Sequence, residues 1–122
     1  MAREAVWAVI TEMYDAYRRG DRAGIDRLLH PEATIWDSAE PVLITSREQL
    51  EKVRDARPAD GPGETGVRAY DEVVDVWQDA ALARYLLRVD FAEGEPEIVR
   101  TTAVLRLVEG EWLIVHVHEN TL

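Results

Sequence analysis

Apolar residues recur with a helical period over residues 3–19. Val6, Ile10, Met13 and Tyr17 fall on one stripe, which Val9 and Tyr14 widen. Arg18 and Arg19 suit the negative end of the helix dipole, and Gly20 ends the helix. Asp21 is placed to cap a second, short helix over residues 22–29, with Ile25, Leu28 and Leu29 on its buried side. Pro31 disfavours helical geometry at His30 and stops it there. Residues 33–37 (ATIWD) read as a short strand, and residues 38–45 as a loop containing Pro41. Ser46 and Gln49 form a capping box that opens a third helix, running to about residue 56. Pro58, Gly61, Pro62, Gly63 and Gly66 mark a loop. Four strands follow, over residues 67–77, 81–91, 97–108 and 111–119. Their turns lie at Gln78-Asp79, at Glu93-Gly94-Glu95-Pro96 and at Glu109-Gly110. Connections this short require antiparallel neighbours.

Three helices ahead of a long antiparallel meander define an α+β architecture. A sheet curved around the first helix leaves a cavity between them. The 122 residues suit one domain spanning the whole chain, 47% hydrophobic and 31% charged. There is no cysteine, which excludes a disulfide scaffold, a thiol nucleophile and cysteine zinc sites. A net charge of −10 repels phosphate backbones and argues against nucleic acid as a partner. Acidic residues at Glu4, Glu12 and Asp15 interrupt the N-terminal segment, so it does not read as a secretory signal, and no run is long enough to span a membrane. The expectation is a cytoplasmic protein with no membrane partner.

Two strings, AYRRGDRAGIDRLLHPEATIWD near the start and EGEWLIVHVHEN at the end, resemble the nuclear transport factor 2-like superfamily, and the order of elements does so along nearly the whole chain. The first string is similar to the helix, Gly-Asp turn, short helix and strand entry of that group. The second resembles the terminal strand of the association domain of calcium/calmodulin-dependent protein kinase II and of SnoaL-like proteins. The resemblance implies a cone-shaped fold with a small-molecule pocket and a homodimer formed through the sheet. Similarity to the ketosteroid isomerase group places a general-base aspartate on Asp37, a carboxylate able to take a proton from carbon next to a carbonyl. The same group's oxyanion-hole tyrosine and acid fall on Met13 and Ala103, neither of which donates a hydrogen bond. Tyr17, one turn beyond Met13 on the same face, is the better substitute, because Tyr14 points about 100° away from Met13. Of the association domain's pocket arginines, one is matched by Arg88 and the other two fall on Ala103 and Glu119.

Strand alternation extends this picture. Leu113, Val115, Val117 and Glu119 share one face of the last strand, taken as the concave one by the family match, and Leu86, Arg88 and Asp90 share a face of an earlier strand. Arg88 then has Glu119, Asp90 or Asp37 as a partner, in a structural ion pair or beside a ligand. If Asp37 lies beneath apolar walls, its pKa should rise. Trp112, His116 and His118 have the opposite parity and are expected on the convex side, at a dimer interface. The two histidines stand at i and i+2, a spacing some zinc sites use, but with no third ligand nearby no metal is expected. Trp7 and Trp36 read as core. Nothing calls for a cofactor. Two functions stay open: a small, largely apolar molecule bound in the cone, with Asp37 as base in an isomerisation, cyclisation or hydrolysis and Met13, Tyr17, Arg88, Ala103, Val115, Val117 and Glu119 lining the pocket; or a non-catalytic binding or oligomerisation module.

Overall fold

In the computed structural model, which describes residues 1–58 and 63–122, the first helix, α1 (Ala2–Arg19), buries Val6, Ile10, Met13, Tyr14 and Ala16. The buried stripe thus closes on Tyr14, while Tyr17 is 46% exposed. Gly20 ends α1 in the left-handed region (φ 69°). Its N–H donates to the Tyr17 carbonyl (3.0 Å), and the Asp21 N–H donates to that of Ala16 (2.9 Å). Asp21 Oδ1 accepts the Gly24 N–H at 2.9 Å and opens α2 (Arg22–Asp26). This helix is shorter than the sequence suggests. Leu29 and His30 already belong to β1 (Leu29–Trp36), because the Ile114 N–H donates to the Leu28 carbonyl at 2.8 Å and draws the chain into the sheet. Pro31 lies inside β1, in the stretch between Leu29 and Thr34 where the pairing shifts register, so its missing N–H breaks no regular ladder. The helix α3 (Arg47–Ala56) opens as expected, with Ser46 Oγ accepting the Gln49 N–H at 3.0 Å.

The remaining strands are β2 (Glu64–Trp77), β3 (Ala80–Phe91), β4 (Glu97–Val108) and β5 (Glu111–Thr121). They form an antiparallel meander, and β1 joins it parallel to β5, giving the order β1-β5-β4-β3-β2. Of the loop expected around residues 58–66, Gly61 and Pro62 lie outside the described residues, and Gly66 is part of β2.

Both sheet edges are protected. Ile44 exchanges two backbone hydrogen bonds with Ile35 on the outer side of β1 (2.9 and 3.0 Å). The β2 edge is broken by a bulge between Tyr70 and Val73, where Asp71 takes a positive φ of 55°, and Arg18 of α1 covers the Val67 carbonyl (2.6 Å). The inner face of the sheet is apolar. Ala81, Ala83, Tyr85, Leu87 and Val89 of β3 and Val99, Ala103 and Leu105 of β4 join Ile114 and Val117 of β5 and the α1 stripe in one buried cluster. Ile10, Leu105 and Ile114 are fully enclosed, so truncating any of them to alanine costs about 2–5 kcal/mol.

Candidate functional site

The last strand decides what faces the interior. Leu105 pairs with Ile114, but Val104 pairs with His116, so Val115 is an extra residue in a bulge. Past it, Ala103 pairs with Val117 and Thr101 with Glu119. Because Thr101 and Ala103 are buried on the inner face, Val117 and Glu119 face inward too. Thr101 also pairs with Tyr85, so Tyr85, Thr101 and Glu119 stand in one row across three strands.

Tyr14 of α1 meets that row from above. Its hydroxyl lies 2.8 Å from the Tyr85 hydroxyl in a buried hydrogen bond, and the two rings meet edge to face, with Trp7 edge-on to Tyr85 at 5.3 Å. Burial, then their mutual repulsion as phenolates, holds the Tyr14 hydroxyl well above the ordinary tyrosine range; burial does the same to Tyr85. Hydroxyls that hold their protons this firmly donate hydrogen bonds and do not act as bases. Only one can donate to the other, which leaves the second proton free to reach another acceptor.

Around Glu119 the ends of five elements converge. Asp37 follows β1, and its Oδ1 accepts the Ala39 N–H at 2.8 Å. Arg57, just past α3, reaches Asp37 Oδ2 (3.0 Å) and Glu40 Oε1 (3.4 Å) through one nitrogen. The Tyr17 hydroxyl, at the end of α1, donates to Glu64, which begins β2. Glu119 itself is mostly buried. Desolvation first, and the charge of Asp37 second, push its carboxyl up to about 7, with Glu64 adding to the push, against the Ser38 N–H and Arg57.

Several expectations change here. Arg88 lies on the outer face, because its strand neighbours Leu87 and Val89 are the buried ones. It is paired with Asp90 (2.9 Å) and takes no part in the cone. Asp37 is at the mouth, but it sits in an ion pair instead of beneath apolar walls. Met13, Ala103 and Val117 are buried in the interior, as expected of inward-facing residues, and Val115 is the half-buried bulge residue. Trp112 precedes the bulge, so it packs against the core and does not share the face of His116 and His118. His116 Nδ1 lies 2.6 Å from Thr34 Oγ1 on that outer face. His30 is elsewhere, its Nδ1 accepting the Glu32 N–H (3.1 Å), and among the described residues no three His, Cys, Asp or Glu side chains form a metal-binding group. Trp7 packs on the core, whereas Trp36 is 42% exposed. Among the described residues, a groove of about 300 Å³ on the outer face is bordered by Arg84, Leu86 and Arg100, and a notch of about 170 Å³ between α1 and β2 is bordered by Tyr14 and Arg68; Glu119 lines neither. No helix among them is long and apolar enough to cross a membrane.

Tyr85, Arg57 and Glu64 are the site residues that the sequence did not single out, and Tyr14, set aside there in favour of Tyr17, is the tyrosine that is buried. Tyr85 was within reach, since it alternates with Ala83 and Leu87 on a strand. Arg57 and Glu64 flank the glycine- and proline-rich loop and carry no local signal.

A cone of this kind, a long helix wrapped by a curved sheet, is the nuclear transport factor 2-like, or cystatin-like, fold. The chain belongs to the SnoaL-like domain family, whose match covers residues 6–120. No curated protein sequence matches it significantly. Solved structures share the fold. The hub domain of calcium/calmodulin-dependent protein kinase II from S. rosetta superposes with a TM-score of 0.85 at 21% identity, covering 98% of this chain and 96% of that one. A nuclear transport factor 2-like protein of unknown function from Pseudomonas putida KT2440 gives 0.83 at 20% identity, with coverages of 98% and 85%. A candidate ketosteroid isomerase from Shewanella frigidimarina gives 0.79 at 19% identity, with coverages of 95% and 94%.

Proposed function

We propose that the protein binds a small, largely apolar molecule at the mouth of the cone and moves a proton on it, with Glu119 as the proton-transfer group in place of Asp37. The observation that carries this reading is the juxtaposition of a mostly buried carboxyl with the buried Tyr14–Tyr85 hydroxyl pair. A carboxyl that titrates near neutrality takes and returns protons at working pH. The spare hydroxyl proton of the tyrosine pair supplies a donor to negative charge developing on a ligand oxygen. The neighbouring carboxylates Asp37 and Glu64 disfavour an anionic ligand.

The test is solvent deuterium exchange. A panel of small cyclic and aromatic ketones is incubated with the protein in deuterium oxide, and loss of the C–H signal next to the carbonyl is followed by proton NMR. Catalysed exchange that falls roughly 10²–10⁴-fold in Glu119→Gln supports the reading. Equal exchange by wild type and variant, or none with any ketone, refutes it.

A second reading, self-assembly through the outer sheet face, is favoured by a separate observation. Leu82, Leu86, Val104 and Leu113 are only half-buried there, and Val73 is 55% exposed. The surrounding arginines are largely neutralised on the spot, Arg84 by Asp75, Arg88 by Asp90 and Arg106 by Asp79. A patch that is apolar and nearly neutral suits a second copy of itself, with His116 and His118 inside the contact.

A further inference from the structure

The mouth of the cone holds two neighbouring carboxyls, Asp37 and Glu119, and of the two only Asp37 is paired with an arginine among the described residues. Arg57 comes from the end of α3, an element outside the sheet that docks on β1 and is tied to α2 by the ion pairs of Arg22 and Arg54. It is held from behind by the Arg57 N–H, which donates to the Arg54 carbonyl at 3.2 Å, while Arg54 itself is bound to Asp26 of α2 at 3.0 Å. Its guanidinium bridges Asp37 and Glu40. Asp37 is thereby fixed on both oxygens, by Ala39 N–H on one and by Arg57 on the other. Glu119 accepts the N–H of Ser38, the residue after Asp37, and has no arginine hydrogen-bonded to it among the described residues.

We propose that Arg57 is a positioning residue for Glu119: by holding Asp37 and Glu40 from the end of α3, it keeps Asp37 in place beside Glu119 and leaves Glu119 as the carboxyl that exchanges a proton with the ligand. This inference rests on the proposed role of Glu119. The groups facing Glu119 are Tyr14 and Tyr17 from α1, Asp37 after β1, Arg57 after α3, Glu64 from β2 and Tyr85 from β3. Asp37 and Glu64 oppose its ionisation, and Arg57 is the cation that favours it. If Arg57 is lost, Asp37 remains as an uncompensated neighbour and Glu119 ionises at higher pH. If Asp37 is lost instead, the guanidinium is free to turn to Glu119, which then ionises at lower pH. Displacement of the end of α3 would act on Glu119 in the same sense as loss of Arg57.

The experiment is a carbon-13 NMR titration of the glutamate carboxyls in the 122-residue chain, with the Glu119 signal assigned by its absence in Glu119→Gln. Wild type should titrate near pH 7. Arg57→Gln should move the midpoint up, and Asp37→Asn down, by about one pH unit each, a tenfold change in proton affinity. Arg57→Lys, which keeps the charge, should leave it within a few tenths. A purely structural Arg57 would lower the melting temperature of Arg57→Gln and leave the midpoint in place, and that result would overturn the inference. Should Arg57→Gln fail to fold, Asp37→Asn and Arg57→Lys decide it: an unmoved midpoint in Asp37→Asn, or one that rises in Arg57→Lys as far as loss of charge demands, overturns it equally. A wild-type Glu119 that titrates in the ordinary carboxylate range would instead defeat the proton-transfer reading itself.

Discussion

Glu119 occupies a position where water is largely excluded and two carboxylates stand close by, so its neutral form is the one the fold accommodates. The consequence for stability has a definite sign. Its proton affinity is raised on folding, from an ordinary value of 4.5 to about 7. The stability that comes from protonated Glu119 is therefore complete below about pH 4.5 and is lost as pH rises through 7, for a total of roughly 3 kcal/mol. Glu119→Gln should remove this component. Urea denaturation at pH 5 and pH 8 is expected to show a smaller difference between the two pH values in the variant than in wild type. The tyrosine pair gives a second prediction. Tyr14→Phe or Tyr85→Phe strips one hydroxyl and strands the other in a buried site, at a cost of about 1–2 kcal/mol. The double variant should cost less than the sum of the two, because the stranded hydroxyl is then gone as well. Additive losses in the double-mutant cycle would mean that the hydroxyls do not act as a pair.

At the scale of the element, the bulge at Val115 has the largest effect on interpretation. Plain alternation groups Trp112 with His116 and His118; one inserted residue separates them and gives the tryptophan to the core. Trp112→Ala should accordingly lower stability by about 2–4 kcal/mol in thermal or urea unfolding and leave the oligomeric state alone. The bulge also explains how much could be read in advance. Helix starts and stops were legible because Gly20, Asp21 and Ser46 have local chemistry, and the meander was legible from its short turns. Strand faces were only half legible. Val117 and Glu119 were assigned inward, and that holds because they lie past the bulge; Leu113, before it, pairs with Arg106 on the outer face. Arg88 is matched to a pocket arginine only by family resemblance, and the buried company of Tyr85, Leu87 and Val89 puts it on the opposite face. Asp37 was found at the mouth through family resemblance, but its ion pair with Arg57 depends on the docking of α3, a contact between segments that no local pattern records.

For the whole molecule, charge and apolar surface are segregated. Carboxylates gather at the mouth of the cone, and the outer sheet face carries arginines that mostly have their own acids, set among half-buried aliphatic side chains. If that face joins two copies, Leu86→Glu or His118→Glu should convert a dimer to monomer in sedimentation velocity, with the fold intact by circular dichroism. A monomer in wild type at micromolar concentration would remove the self-assembly reading and leave the mouth of the cone as the functional surface.

The parallel pairing of β1 with β5 has a further consequence, for how the chain acquires this shape. The strand of the meander that pairs with β1 is the last one in the chain, so apart from the Ile44 bridge β1 has no neighbour in the sheet until β5 emerges. During synthesis, β1 must wait for its neighbour in the sheet while the hairpins form, whereas α1 can already pack on β2. Sheet closure and placement of the proton-carrying carboxyl are then a single late event, because the strand that closes the gap also bears Glu119.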